Sequence, residues 1–369
     1  MRLRMAAASL AGVTLLAAGT VVTAVTGPAV AGTTRAAGPA ATVAAESGYI
    51  DTEPGGRVFD STGGTPSVTE VSDGQYVVEF PGLSNLTDKG GNFEVTPVQT
   101  AHNCTITGFS TGTGGTAIVN VDCYLVGSLT DTYFDLTATR AGTIKHGLLD
   151  YAWVSNKNKS YKLSGKDLFN SGHKASTVKH LGKGRYEVTF NGRAKTTNTG
   201  TVKVSPYGFG DGNCQVASWN GGSTVTTVHV DCFGPGGHLE NRAFLLVYAR
   251  NNNILGLSGL TTASARASQP KTKSYSPSPQ YDSNQGARVR VDRVSRGQYR
   301  VHFKGSGGPN APVVGGDVQV TTFGSSYARC TPFSYSQGSN PSALITCYDA
   351  LGGAVNTSFS VQWLLDLPV

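Results

Sequence analysis

The feature that most constrains this chain is a sequence pattern that occurs three times in the same order. The segment Gly74-Gln-Tyr-Val-Val-Glu-Phe80 returns as Gly184-Arg-Tyr-Glu-Val-Thr-Phe190 and as Gly297-Gln-Tyr-Arg-Val-His-Phe303. In each copy an alternating strand that begins with glycine follows, then two cysteines, and then an Asp or Asn three residues before a phenylalanine. Such internal self-similarity is typical of a repeated structural module. The sequence therefore predicts three copies of one module.

Within each copy, apolar and polar residues alternate, as in Tyr186-Glu-Val-Thr-Phe190 and Val228-His-Val-Asp-Cys232. This period of two is typical of an antiparallel strand with one buried face. Clusters of Gly, Asn, Ser and Pro interrupt the pattern where turns are expected. We therefore expect an all-β protein built from three tandem antiparallel β-sandwich modules. The pattern suits an immunoglobulin-like or a jelly-roll topology and leaves that choice open.

The cysteines add one expected covalent link to each copy. Cys214 opens one predicted strand and Cys232 closes the returning strand of the same hairpin, so the two side chains are expected side by side. The same symmetry pairs Cys104 with Cys123 and Cys330 with Cys347. Each predicted disulfide closes a loop of about 18–20 residues and contributes roughly 3 kcal/mol in the chain-entropy model. Six cysteines that are expected to pair into three disulfides indicate that the chain folds in an oxidising compartment.

The N-terminal residues have the composition of an export signal. Arg2 and Arg4 precede an apolar stretch, and Ala29-Val-Ala31 supplies the small residues of a cleavage site. An uncleaved membrane anchor is the alternative, because about 20 apolar residues are enough to span a bilayer. We favour cleavage, which predicts a secreted, extracellular protein without a transmembrane anchor.

The repeat and the export signal together divide the chain into five segments. They are a signal peptide at 1–31, a spacer at 32–45, an acidic copy one at 46–146, a basic copy two at 147–260, and a linker with a basic copy three at 261–369. Within the last segment, residues 261–273 are rich in Ala, Ser and Thr. That composition predicts an exposed loop or linker.

Copy two carries a longer motif. It consists of Tyr151-Ala-Trp-Val-Ser-Asn156, Ser160-Tyr161, Phe169-Asn-Ser-Gly172, Gly184-Arg-Tyr186, the two cysteines and Asn241-Arg-Ala-Phe244. This motif resembles a repeat module that is common in exported actinobacterial proteins. Copy three keeps Ser274-Tyr275 and Tyr281-Asp-Ser283 but lacks the opening tryptophan. Copy one has only Phe59-Asp-Ser61 and a degraded opening around Tyr49. The resemblance implies β-rich secreted modules and implies no particular activity.

The candidate catalytic and metal-binding motifs are weak. Gly108-Phe-Ser-Thr-Gly112 matches the G-x-S-x-G of serine hydrolases, but that motif acts on a strand-to-helix turn and here falls in a predicted hairpin. The seven histidines do not recur in register, and none has the spacing of a zinc site. His180 or His238 as a base in one diverged copy is the enzymatic alternative. We expect a non-catalytic protein without a metal or cofactor.

The distribution of charge gives the main functional hint. Residues 46–148 carry 12 acidic and 4 basic side chains, residues 149–251 carry 6 and 13, and residues 252–369 carry 5 and 10. Outside the cell, a basic surface meets anionic wall polymers and acidic polysaccharides rather than nucleic acid. A merely solvated face, or docking of the acidic copy on its basic neighbours, is the alternative.

The candidate ligand-binding residues of copy two are basic side chains and one tyrosine: Lys157, Lys159, Tyr161, Lys162, Lys179, Arg185 and Arg193. Phe109, Trp219 and Tyr335 each follow the first cysteine of their copy by five residues, where a ring can stack on a sugar or serve as core. The sequence thus predicts binding of an extracellular or cell-surface anionic polymer or polysaccharide. A secreted hydrolase and a protein-binding or inhibitory scaffold are the alternatives.

Overall fold

The computed structural model describes residues 45–144, 147–192, 200–221, 224–257, 261–283, 288–306, 316–336 and 338–365. The predicted signal segment 1–31, and all of the predicted spacer except Ala45, lie outside these ranges. Most of the described residues are in β-strands, which confirms the predicted all-β class. No helix within the described ranges is long and apolar enough to cross a membrane.

Each copy contributes nine described strands. Copy one holds β1 (Glu46–Asp51), β2 (Val58–Asp60), β3 (Ser67–Ser72), β4 (Gln75–Phe80), β5 (Asn92–Pro97), β6 (Asn103–Thr111), β7 (Ala117–Leu125), β8 (Ser128–Leu129) and β9 (Phe134–Arg140). Copy two holds β10 (Leu148–Val154), β11 (Tyr161–Leu163), β12 (Leu168–Asn170), β13 (Ser176–Gly182), β14 (Arg185–Asn191), β15 (Thr201–Tyr207), β16 (Asn213–Gly221), β17 (Val225–Phe233) and β18 (Ala243–Arg250). Copy three holds β19 (Thr261–Ala267), β20 (Ser274–Tyr275), β21 (Gln280–Asp282), β22 (Arg288–Ser295), β23 (Gln298–Lys304), β24 (Gly316–Phe323), β25 (Arg329–Ser336), β26 (Ser342–Tyr348) and β27 (Ser358–Leu365). Helical structure is limited to the single turn α1 (Asn85–Asp88) and to 3₁₀ turns at Thr113–Gly115, Gly165–Asp167 and Pro235–Gly237 in the described part of the chain.

The strands of each copy form two layers. We call the layer that contains the first and last strands of a copy its axial sheet; the strand orders are β2-β1-β9-β5, β12-β10-β18-β15 and β21-β19-β27-β24. We call the other layer the disulfide sheet; its orders are β3-β4-β7-β6, β11-β13-β14-β17-β16 and β20-β22-β23-β26-β25. In copy one, Val78 and Phe80 of the disulfide sheet pack with Phe93 and Leu136 of the axial sheet, and all four are fully buried. This arrangement confirms the predicted β-sandwich.

Each disulfide joins the two strands of one hairpin, as predicted. The two cysteines of every pair lie directly opposite one another in register: Cys104 and Cys123, Cys214 and Cys232, Cys330 and Cys347. The Cα atoms of the three pairs are 4.1, 4.1 and 4.0 Å apart. All six side chains are buried in the core of their own copy.

Hydrogen bonds between edge strands join the three copies into a closed ring. At each boundary a backbone N–H that follows the axial edge strand of one copy donates to a carbonyl in the disulfide sheet of another copy. The three bonds are Gly208 N to Ile106 O (2.9 Å), Gly324 N to Val216 O (2.9 Å) and Gln99 N to Pro332 O (2.8 Å). In each case the acceptor is the second residue after the first cysteine of its copy. The third bond links copy one to copy three and so closes the ring. Because the three bonds have equivalent positions in the copies, the ring has pseudo-threefold symmetry.

The connection between copies two and three packs where all three copies meet. Ile254 and Leu255 are buried in one cluster with Tyr49 of copy one, Tyr151 of copy two and Leu364 of copy three. The backbone of this segment also forms hydrogen bonds with two copies. The Leu255 carbonyl accepts from a serine hydroxyl of copy one, and the Ile254 N–H donates to a glutamine side chain of copy three. This segment therefore contributes to the core between the copies.

The predicted exposed linker at 261–273 is wrong for its first half. Residues Thr261–Ala267 are strand β19, which pairs along its whole length with β27. Ala263, Ala265 and Ala267 face the core of copy three and are buried. Every second residue of this segment faces the core, as in a typical strand. The core-facing residues are alanines, whose small side chains make the alternation of apolar and polar residues hard to see in the sequence. Its composition therefore resembles that of a linker.

The axial sheets meet along a buried polar axis. Equivalent positions of β5, β15 and β24 hold Glu94, Lys203 and Gln319, which are 1%, 5% and 2% exposed. The Lys203 ammonium donates to a backbone carbonyl of copy one at 3.1 Å and to one of copy three at 2.7 Å. It also donates to Thr96 Oγ1 at 2.6 Å. One buried cation of copy two thus binds both other copies.

Burial shifts the pKa values of the ionisable groups on this axis. Desolvation raises the pKa of Glu94 to about 7, although the nearby charge of Lys203 opposes this shift. Desolvation also raises the pKa of Asp317 to about 7. The pKa of Asp135 lies well above its usual range because of burial and repulsion from Asp317. Burial lowers the pKa of Lys203 to about 8 against the attraction of Glu94.

The raised carboxyl pKa values predict that stability falls as pH rises. Glu94 and Asp317 hold protons in the folded state up to about pH 7, whereas the unfolded chain releases them near about pH 4. Because the folded state binds more protons in this window, the free energy of unfolding contributed by these groups decreases between about pH 4 and pH 7. We expect Asp317→Asn to make the decrease shallower by up to about 1.4 kcal/mol per pH unit.

Urea unfolding of both proteins between about pH 5 and pH 7 measures this difference. Glu79→Gln is the matched control, because Glu79 is an exposed carboxylate in β4 of copy one. It is expected to keep the pH slope of the parent chain. Equal slopes for the parent and Asp317→Asn would show that Asp317 is ionised in the folded state.

Candidate polyanion-binding surface

The predicted basic residues of copy two lie on the solvent side of its disulfide sheet and in the loop before β11. The exposed ones are Lys157, Lys159, Lys162, Lys179 and Arg185. Lys162, Lys179 and Arg185 lie on β11, β13 and β14, which are neighbours in the sheet. Tyr161 is half-buried, and its hydroxyl accepts from the Asn156 N–H at 3.4 Å. Arg193 lies outside the described residues.

Acidic neighbours partly neutralise this face of copy two. Lys179 Nζ donates to Glu187 Oε1 at 2.7 Å, and this hydrogen bond is the main reason that the pKa of Glu187 is lowered. His229 Nε2 lies 3.3 Å from the other oxygen of the same carboxylate. Arg185 lies directly opposite Asp231 in register. The cations of copy two are therefore interleaved with carboxylates.

A second basic face lies on copy three, and its residues are not among the predicted ligand-binding residues. Strands β22 and β23 place Arg288 opposite Lys304, Arg290 opposite His302, and Asp292 opposite Arg300. Directly opposed residues and residues two apart share one face of a sheet. The four cationic side chains of Arg288, Arg290, Arg300 and Lys304 are exposed on that face.

Among the described residues, Asp292 is the one carboxylate at ion-pair distance from the cations of this face. Asp292 lies 2.8 Å from Arg290 Nε and 3.2 Å from His302 Nε2. Within the described residues, Arg288, Arg300 and Lys304 have no carboxylate at ion-pair distance. Like charges that face each other across a strand pair are destabilising, so the opposition of Arg288 and Lys304 has an energetic cost. A bound polyanion would offset that cost.

The alternation of basic and apolar residues in β22 and β23 indicates this face in the sequence. Arg288-Val-Arg290-Val and Arg300-Val-His302-Phe-Lys304 have charged residues at every second position. Since the intervening Val289, Val291 and Val301 are buried, the charged positions must point to solvent. The total charge of copy three pointed to a basic module, but only the register shows that the cations share one face.

Copy one presents the opposite charge in the corresponding region. Glu79 is exposed in β4, at the position that His302 occupies in β23. Glu70, Asp73 and Asp131 are also exposed, and one oxygen of each carboxylate lies within 4.8 Å of the others. An anionic polymer would be repelled from this copy.

The three predicted aromatic residues lie at the boundaries between copies. The ring of Phe109 packs against Trp153 and Tyr207 of copy two, with centroids 5.0 and 5.8 Å away. Trp219 is 3% exposed and contacts copy three, where the Arg266 guanidinium lies 4.8 Å from its ring centroid. Tyr335 donates a hydrogen bond from its hydroxyl to a buried aspartate of copy one, Asp51. These contacts give the rings a packing role; sugar binding by them stays a prediction.

The contacts of Phe109 predict a role in stability. Replacement by alanine removes a ring that packs against Phe93, Trp153 and Tyr207. We expect Phe109→Ala to lower the free energy of unfolding by about 3 kcal/mol, measured by urea unfolding, without weakening polymer binding. Phe209→Ala is the matched control, because Phe209 is 81% exposed and its loss should change stability by less than about 0.5 kcal/mol. Lost polymer binding with unchanged stability would instead assign Phe109 to a ligand site.

Comparison of the chain with protein-family models, with curated proteins and with solved structures finds no match.

Proposed function

We propose that this is a secreted, non-catalytic protein of three tandem modules that binds an anionic extracellular or cell-surface polymer. The binding surfaces are the basic faces of copies two and three. Polymer chains that carry phosphate or carboxylate groups at regular intervals engage several cations at once, and two basic copies in one closed ring make that binding multivalent.

The observation that carries the proposal is the basic face of copy three. Three of its four cations lack a carboxylate partner among the described residues, and two of them oppose each other across a strand pair. Arginine is well suited to such a surface because its planar guanidinium forms paired hydrogen bonds with phosphate and carboxylate oxygens. The face of copy two adds charge but is partly neutralised by Glu187 and Asp231.

The disulfides support an extracellular location. All three pairs are formed between buried cysteines, and structural disulfides of this kind are typical of proteins that fold in an oxidising compartment. The basic start and the apolar stretch of residues 1–31 supply the export signal that this location requires.

Sedimentation of the purified chain with cell walls, an acidic polysaccharide, chitin and cellulose tests the proposal. We expect binding to the anionic polymers that weakens as salt rises, because salt screens exposed charges. Chitin and cellulose, which are neutral, are expected not to retain the protein. Absence of binding to every anionic polymer at low salt would contradict the proposal.

Charge-matched variants locate the binding surface. The double variant Arg288→Gln with Arg300→Gln removes two exposed cations of copy three that have no carboxylate partner among the described residues, and we expect the dissociation constant to rise about tenfold. Arg57→Gln with Lys89→Gln removes the same charge from exposed positions of copy one and is expected to have little effect. Equal losses in the two variants would show that net charge alone governs binding.

A further inference from the structure

A small cavity lies on the pseudo-threefold axis and is lined by all three copies. Its volume is about 40 Å³. The residue just before the first cysteine of each copy contributes to its wall: Asn103, Asn213 and Arg329. The copies thus place two amides and one guanidinium at equivalent positions, and the guanidinium is the exception.

Arg329 is a buried cation that has no carboxylate partner among the described residues. The side chain is 4% exposed, and its Nη1 donates to the Tyr327 hydroxyl at 2.6 Å. Its Nε and Nη2 have no hydrogen-bond partner, and within the described part of the chain no carboxylate lies within 4.0 Å of the guanidinium. Arginine keeps its charge in proteins, so burial cannot neutralise it by deprotonation. An unpaired charge in such a place is strongly destabilising.

A second unpartnered nitrogen lines the same cavity from copy one. His102 is 6% exposed, and its Nδ1 is 2.5 Å from Thr100 Oγ1, whereas its Nε2 has no partner among the described residues. Burial, and secondarily the positive charge of Arg329, lower the pKa of His102. His102 and Arg329 thus line one small cavity with nitrogen atoms that have no partner among the described residues, and the arginine supplies a full positive charge. Lys203 also lines the cavity, but its ammonium already donates to Val95, Thr96 and Val320.

We propose that the axial cavity binds one small monovalent anion, a chloride ion, with Arg329 as its principal ligand. Arg329 donates to it from Nε and Nη2, and His102 donates from Nε2 in the tautomer whose Nδ1 accepts from the Thr100 hydroxyl. A cavity of about 40 Å³ has room for a particle of about the size of a water molecule or slightly larger, which excludes organic acids and sugar phosphates. A neutral water would satisfy one donor but would leave the guanidinium charge uncompensated.

The location gives the anion a structural role. Arg329 opens β25, and three residues later Pro332 accepts the hydrogen bond from Gln99 that closes the ring. His102 follows Gln99 on the other side of the same boundary. An anion held between Arg329 and His102 therefore links copy three to copy one. Because the anion binds only the folded chain, chloride should stabilise the protein by mass action.

Thermal unfolding of the full chain in a chloride series tests this proposal, with ionic strength held constant by gluconate, which is too large for the cavity. We expect the melting temperature to rise with chloride by about 2 °C or more, and bromide to act in the same way. Arg329→Asn installs the residue that copies one and two have at this position, and it should abolish the chloride dependence. Arg57→Asn, which removes an exposed arginine that does not line the cavity, should retain it.

A melting temperature that is the same in chloride and gluconate would overturn the proposal, as would chloride dependence that survives in Arg329→Asn. Should that variant fail to fold, a crystal of the parent chain soaked in bromide gives an independent answer. An anomalous peak at hydrogen-bond distance from Arg329 Nε or Nη2 is the expected result. Density for water alone at that place would refute the anion site.

Discussion

The fold depends on hydrogen bonds between the edge strands of its copies. A β-sandwich exposes edge strands whose unpaired backbone groups invite association with other chains. Here β15 of copy two adjoins β6 of copy one, β24 of copy three adjoins β16 of copy two, and the bond from Gln99 to Pro332 completes the ring. Each copy therefore bonds one edge of each of its two sheets to a neighbouring copy. Closure of the ring buries the polar axis and the contacts of Phe109, Trp219 and Tyr335 at the boundaries between copies.

The axis explains why three similar copies differ where they meet. Perfect threefold symmetry would place three identical side chains together, and three buried like charges would repel strongly. Glu94, Lys203 and Gln319 avoid this, since an acid, a base and an amide occupy equivalent positions. Charged residues on the axis therefore differ among the copies, even though the strands and the disulfides remain alike.

Much of each module could be predicted from the sequence because its strands and hairpin disulfides depend on residues that are close along the chain. Alternation indicated the strands, and the repeat indicated which cysteines pair. No sequence pattern indicates the ring, because few residues form its boundaries. Strands β15 and β6, for example, share a single register pair, Tyr207 with Ile106. Strand β19 was missed because alanine fills its buried positions. The basic face of copy three was present in the alternation of Arg288 and Arg290, but counts of charge per module do not distinguish faces.

Ring closure also restricts how this architecture can evolve. In an open solenoid each repeat contacts only its neighbours, so gene duplication can lengthen the array and deletion can shorten it at little cost. Here the first and last copies bond to each other, and Lys203 of the middle copy donates to both. An added copy would separate Gln99 from Pro332, and a lost copy would leave that buried ammonium short of acceptors. Selection can therefore vary the outer faces freely while the number of copies in the ring is held constant.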